Sequence, residues 1–361
     1  MNFAFANGPG NATQRWLAEG LTESLTEQGC FFEPKIADSI SLVFNFLDPD
    51  QPRPFRRKGQ ATFVVGIVEG TEASDDILRA GYPMLVRSLS NLVIYLAPSE
   101  HGVDTHFITL EQGAYAVPYQ QGQEAAYFSA LSERLTPLAT SQLVINNEFT
   151  PDLPEELWQG DHITRQLSEA GARLDALDLL PAPFPIEEIL PPKDFRHVQR
   201  LYGLGGLSYG NLSARRDQDT FWMSASGVDK SNLQRVGQDI LLVTGYRPEN
   251  NAMVLSVPPD VKPRRVSVDA IEHWMIYKEH PEVGAIVHVH AWMEGIPSTE
   301  VNYPCGTLQL AEAVAELVRQ APDPAQAVVG LRNHGLTITG YQLSDIFDSI
   351  EDRIVRQVPM L

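Results

Sequence analysis

Cysteine is nearly absent: Cys30 and Cys305 are the two in 361 residues, far apart in the chain. No disulfide framework is available, and reduced thiols in a cytoplasm are expected. No apolar run reaches the roughly eighteen residues that a membrane-spanning helix needs, so no membrane partner is expected. The opening Met1–Ala6 has neither a basic region nor a long apolar segment, which argues against a secretory leader. Positive charge is scarce, with 27 Lys and Arg against 46 Asp and Glu and a net charge of -19. That balance opposes nonspecific nucleic-acid binding. Any anionic small molecule must therefore be met by a local basic patch. Also missing are a G-x-G-x-x-G fingerprint and a Walker lysine. What remains, 43% hydrophobic and 20% charged, is a globular composition with length for about two domains.

The first half reads as a Rossmann-like α/β domain, residues 1–180. A short apolar segment, Phe3–Ala6, leads into Asn7-Gly8-Pro9-Gly10-Asn11 and a helical pattern of Trp16, Leu17, Leu21 and Leu25. Such a turn can hold an anion at a helix N-terminus, but without the fingerprint a structural turn is the favoured reading. Strands are expected at Ser41–Leu47, Thr62–Val68 and Leu92–Leu96, with a helix at Asp75–Leu89 that Pro83 kinks or shortens. The Arg56-Arg57-Lys58 cluster reads as solvated loop. Shorter strands at Thr105–Leu110 and Ala114–Tyr119, a helix at Glu124–Leu135 and a strand at Gln142–Ile145 complete this half. His101, His106 and His162 have no partners at ligand spacing. A long helix over Leu157–Leu180 precedes Pro181-Ala182-Pro183-Phe184-Pro185, which marks a stiff linker over 181–193. A second domain, 194–361, then opens with a helix at Phe195–Leu201 and the glycine-rich Gly203–Gly210.

The strongest chemical signal is Val283–Trp292, V-G-A-I-V-H-V-H-A-W. Strand side chains alternate faces, so His288 and His290 project to the same side. A histidine pair on a half-buried strand is also ordinary packing. A third, His334, follows the apolar run Ala327–Leu331. Three neutral imidazoles with one open position are what a catalytic zinc needs. His197, on a helix, and His280, before Pro281, are not expected to be ligands.

Five segments in this order carry a family resemblance: Gly210–Arg215, Ser224–Lys230, His288–His290, Tyr303–Thr307 and Asn333–Gly335. Residues 194–361 resemble the class II aldolase/adducin family, which implies an α/β/α domain. That family includes fuculose and rhamnulose phosphate aldolases, L-ribulose phosphate epimerases, methylthioribulose phosphate dehydratase and the non-enzymatic adducin heads. The resemblance implies Zn2+, or another divalent transition metal, on His288, His290 and His334. Counted back through His273 and Pro281, the family's catalytic carboxylate falls on Asp269, where aldolases carry Glu and epimerases Asp. Asp269 also has capping-box spacing to Glu272, so a helix cap is the competing reading. The family's phosphate-binding elements fall on Gly210 and Asn211, on Ser226 and Gly227, and on Ser267, with Val268 removing one hydroxyl.

The implied activity is that of a zinc-dependent aldolase-type lyase. It would cleave or form a carbon-carbon bond in a small sugar-phosphate-like hydroxy-carbonyl compound through a metal-stabilised enediolate, with Asp269 moving the proton. An epimerase, a dehydratase or a non-catalytic adducin-like module are the alternatives. The family is oligomeric, so a homo-oligomer is expected. Yet the segment that separates the paired histidines from the turn near Tyr303 is shortened here, and it normally lies at a subunit interface. Glu294 or Tyr303 could replace the acid/base group it would supply.

Overall fold

The fold comes from a computed structural model that describes residues 2–37, 40–57, 62–70, 76–99, 102–109, 113–177, 179, 186–196 and 210–360. His101, His197, the prolines Pro181, Pro183 and Pro185, most of the expected Phe195–Leu201 helix and the glycines before Gly210 lie outside them. The protein is mixed α/β, in two compact units: residues 1–140 with 182–201 and 360–361, and residues 141–181 with 202–359.

The first unit is built on a seven-stranded sheet in the order β2-β1-β3-β4-β5-β6-β7. Its strands are β1 (Asn2–Ala6), β2 (Phe31–Phe32), β3 (Leu42–Phe46), β4 (Phe63–Glu69), β5 (Leu92–Ser99), β6 (Gly102–Thr109) and β7 (Gly113–Val117). β1 through β5 run parallel, and β6 and β7 add an antiparallel edge. Near-continuous apolar strands such as L-V-F-N-F in β3, every residue of which is buried, are what a sheet covered on both faces requires. Helix α1 (Ala12–Glu27) is capped by Asn11, whose side chain accepts from the Gln14 amide, and buries Leu17, Leu21 and Leu25 at helical spacing. These join Phe44, Val65, Ile94 and Phe107 in one core with Leu131 and Leu135 of α3 (Glu124–Thr140). Helix α2 (Ile77–Ser88) runs on through Pro83 and lies against Ile108, where a Cβ added to Gly81 would overlap its side chain. Ile108 and Phe107 face opposite sides of β6, so helices cover both sheet faces. The expected linker is not free: the Arg79 guanidinium donates to the Glu188 carbonyl at 2.7 Å, and Arg87 pairs with Asp194 at 2.7 Å.

The second unit carries an eight-stranded sheet in the order β14-β15-β13-β9-β10-β11-β12-β8. Its strands are β8 (Asn146–Thr150), β9 (Asn211–Arg215), β10 (Phe221–Ser224), β11 (Ile240–Arg247), β12 (Ala252–Ser256), β13 (Ala285–Val289), β14 (Val328–Leu331) and β15 (Gly335–Gly340). All neighbours pair antiparallel except β12 with β8. β8 departs from the expected boundaries, because Asn146–Thr150 pairs with Ala252–Ser256 and the strand belongs to this sheet rather than to the first unit. Helix α4 (His162–Ala176) replaces the longer expected Leu157–Leu180. It starts at Asp161, which forms a capping box with Thr164, and Asp161 also accepts from the Trp222 indole at 3.0 Å. Residues 141–181 thus complete the second core, where Leu167, Leu174, Leu212 and Trp222 join one cluster. Helices α5 (Ala270–Glu279), α6 (Leu308–Gln320) and α7 (Leu343–Ile350) complete the unit. α7 buries Ile346 and Ile350, and the expected third residue of its stripe, Ile354, lies beyond its end.

Candidate metal centre

β13 is the strand that places the histidines. It runs between β9 and β15, with His288 opposite Asn211 on one side and Thr337 on the other. His290 follows one residue past the strand end. His334 comes from the turn between β14 and β15, where Asn333 adopts a left-handed φ of 57° and the His334 amide donates to the Leu331 carbonyl at 2.9 Å. A Cβ on Gly335 would stand 2.2 Å from the Val289 carbonyl oxygen. Only glycine lets β15 come close enough to bring the turn over β13.

The three rings converge with centroids 4.8 to 5.1 Å apart. One nitrogen from each lies within 4.8 Å of the other two. Burial first, then the neighbouring imidazoles, hold the pKa of His288 and of His334 well below the usual histidine value. Asp269 raises that of His334 in opposition, and the Leu336 backbone does the same for His288. Both are neutral donors at physiological pH. Neither nitrogen of the buried His288 makes a hydrogen bond of ordinary geometry. A buried polar atom left in that state costs about 1–3 kcal/mol, and a cation bound among the rings would remove the cost. Three convergent imidazoles, of which His288 and His334 are neutral and His288 is under-satisfied, therefore fit a divalent transition metal.

Asp269 precedes α5 but does not cap it: its side chain makes no bond to the helix N-terminus. Instead Oδ2 accepts from Asn211 Nδ2 at 2.7 Å and from Ser267 Oγ at 3.4 Å, while Oδ1, also buried, has no protein partner. The capping-box partner Glu272 turns inward as well, and Thr337, opposite His288, donates to its carboxylate. Burial and then the Asp269 charge push the Glu272 pKa up to about 8, so at neutral pH this group is a carboxylic acid. His273 hydrogen-bonds Ser213 through Nδ1 at 2.7 Å, and burial lowers its pKa to about 4 against the opposing pull of Asp269.

Of the expected anion-binding residues, Asn211 and Ser267 meet at 3.1 Å beside Asp269. Gly210, at φ 99°, is required where it stands, because a Cβ there would lie 2.2 Å from the His288 carbonyl oxygen. Ser226 and Ser267 share a small cleft of about 60 Å³ with Asn147, Arg265 and Val268. Gly227 borders a different depression, with Arg235 and Arg264. The Ser226 amide is already spent on the Arg265 carbonyl at 2.9 Å, which leaves the hydroxyl as that residue's free donor. Glu294 is exposed and Tyr303 half-buried.

Sequence reasoning missed four residues here. Asn147 accepts from the Val266 amide at 2.9 Å and the Arg265 guanidinium donates to the Ile145 carbonyl, so the 141–150 segment forms one wall of the cleft. Cys305 Sγ stands 3.1 Å from His334 Nε2. Glu272 reads in the sequence only as a possible cap. Asn147, Arg265 and Cys305 carry no local signal, whereas the i+3 spacing of Glu272 from Asp269 is visible but points to solvent.

Residues 195–299 match the model of the Class II Aldolase and Adducin N-terminal domain. Methylthioribulose-1-phosphate dehydratase of Citrobacter koseri is 32% identical over 98 residues, which are 26% of this chain and 41% of that protein. The chain thus spans less than half the length of this curated relative. Among solved structures, an L-fuculose 1-phosphate aldolase aligns over 54% of this chain and 82% of its own, with 19% identity and a TM-score of 0.37. The L-fuculose-1-phosphate aldolase of Thermus thermophilus aligns over 53% and 90%, with 18% identity and a TM-score of 0.34. The N-terminal class II aldolase domain of a conserved Thermoplasma acidophilum protein aligns over 56% and 95%, with 13% identity and a TM-score of 0.35.

Proposed function

We propose, from the class II aldolase/adducin domain that residues 195–299 match, that this protein is a metal-dependent lyase. It would act on a small sugar-phosphate-like hydroxy-carbonyl compound and make or break a carbon-carbon bond. His288, His290 and His334 would hold the ion, zinc by preference for a three-imidazole set. When bound, a divalent ion supplies Lewis-acid polarisation of a carbonyl and stabilises negative charge on its oxygen. Asp269 is the proton-transfer group: Asn211 and Ser267 fix its Oδ2, and Oδ1 is left to take or return a proton. Burial and the neighbouring Asp269 raise the Glu272 pKa in the metal-free protein, which favours its neutral form there. Ser226 offers a hydroxyl donor for an oxyanion of the substrate, whereas the donors of Asn211 and Ser267 are engaged with each other and with Asp269. Val268 supplies none, so a carboxylate can take the place of a phosphate.

The observation that carries this reading is the buried Asp269, bonded to Asn211 rather than to its helix and acting on His334, one of three convergent imidazoles. A dehydratase would use the same proton transfer, and the stretch of 32% identity to a methylthioribulose-1-phosphate dehydratase favours that second reading. The two are told apart by product. Wild type and His288→Ala are analysed for bound metal and incubated with phosphorylated and unphosphorylated hydroxy-ketones. Aldehyde release marks the lyase, and loss of water without chain cleavage marks the dehydratase. His288→Ala is expected to lose most of its metal and its turnover, and full retention of both would sink the proposal.

A further inference from the structure

In the first unit a cavity of about 610 Å³ opens at the carboxyl ends of β1, β2 and β3. The parallel strands run in the order β2-β1-β3-β4-β5, so the chain steps outward to β2 and then crosses back to β3. The sheet therefore reverses direction between β1 and β3. Open parallel sheets bind ligands in the crevice outside such a switch point. Here that crevice is bridged from both sides: Asn7, with a φ of 61° just past β1, donates through Nδ2 to Asn45 Oδ1 of β3 at 3.0 Å. Asn45 is 1% exposed, and its Nδ2 donates to the Arg53 carbonyl at 3.0 Å. A buried amide thus pins the segment that carries Arg53, Phe55 and Arg56 over the end of the sheet.

The lining is chemically one-sided. Among the described residues that line it, Lys35, Arg53 and Arg56 contribute three cations and none is Asp or Glu, in a chain of net charge -19. Among the described residues none of the three forms an ion pair. Phe5 and Phe55 also line the cavity. The first is backed by Phe44 and Phe46 at ring-centroid distances of 5.1 and 5.8 Å, a wall suited to a flat, weakly polar ring. Asn11 already accepts the Gln14 amide in the first turn of α1, and Gln14 Oε1 accepts the Gly10 amide just before it, so these groups are not offered to the cavity.

We infer that this cavity binds a nucleotide, with its phosphates on Lys35, Arg53 and Arg56 and its base against Phe5 and Phe55. Arg56, from the basic cluster that reads as merely solvated in the sequence, is then part of a ligand site, while Arg57 turns away to the Leu89 carbonyl and Asn91. The volume lies in the range of small-molecule pockets.

The test is calorimetric titration of the full chain with ADP, adenosine and inorganic pyrophosphate, for wild type and for the double variant Arg53→Ala/Arg56→Ala. Both arginines are exposed, so the variant keeps the fold, and circular dichroism verifies this. ADP is expected to saturate one site, with adenosine and pyrophosphate each weaker by about tenfold or more. Loss of two charge-assisted contacts should weaken ADP by at least about tenfold. No saturable ADP binding, an unchanged affinity in the double variant, or pyrophosphate binding as tightly as ADP would each overturn the inference.

Discussion

Replacing Glu272 by glutamine probes the electrostatics beneath the candidate metal centre. Glu272 is 2% exposed, with Thr337 donating to Oε1 and Oε2 unpartnered. Burial and the Asp269 charge move its pKa from an ordinary 4.5 to about 8, against a smaller opposing effect of the Thr337 bond. Between those values the folded state holds a proton that the unfolded state has released. The stabilisation is complete below pH 4.5, declines as pH rises and is gone above about 8, at about 1.4 kcal/mol per pH unit. The whole window sets a ceiling of about 5 kcal/mol, and relaxation and water penetration around a buried carboxylate bring this to a few kcal/mol. Glutamine keeps the Thr337 contact and does not titrate. Wild type and Glu272→Gln should therefore match near pH 5, and the variant should be the more stable by about 2–4 kcal/mol near pH 9. Guanidinium unfolding of metal-stripped protein at pH 5, 7 and 9, followed by tryptophan emission, reads this out. Trp158, Trp222, Trp274 and Trp292 all lie in the second unit. Parallel pH profiles for the two proteins would refute the raised pKa.

Gly210→Ala places a Cβ 2.2 Å from the His288 carbonyl oxygen at a φ of 99°. Backbone strain and overpacking together should cost about 2–4 kcal/mol, read as a shift in unfolding midpoint, and a loss within experimental error would show that β9 and β13 can part freely. Asn211→Ala removes the 2.7 Å donor to Asp269 Oδ2. It should lower kcat about tenfold to a hundredfold with bound metal unchanged; an unaltered kcat would mean that Asp269 needs no orientation from Asn211.

What the sequence made legible is what depends on local period and spacing. Alternation in V-H-V-H put His288 and His290 on one side, and the apolar run Ala327–Leu331 before His334 announced the strand that carries the third ring to them. Apolar strands and the Leu17, Leu21 and Leu25 stripe likewise show in composition alone. What stayed hidden depends on partners distant in the chain. Asn146-Asn147-Glu148 is too polar to look like a strand, yet an edge strand needs no apolar face when its backbone finds β12. For the same reason the boundary near residue 140 carries no proline-rich or glycine-rich stretch, Pro137 lying inside α3, whereas the proline-rich stretch that does look like a boundary leads into residues that Arg79 and Arg87 fasten to the first unit. Asp269 shows the limit most clearly. Its spacing to Glu272 fits a helix cap, and only the arrival of Asn211, from a strand 58 residues earlier, on Asp269 and of Thr337 on Glu272 turns the two carboxyl groups inward. A capping position and a catalytic position are written with the same letters, and the partner of the side chain decides between them.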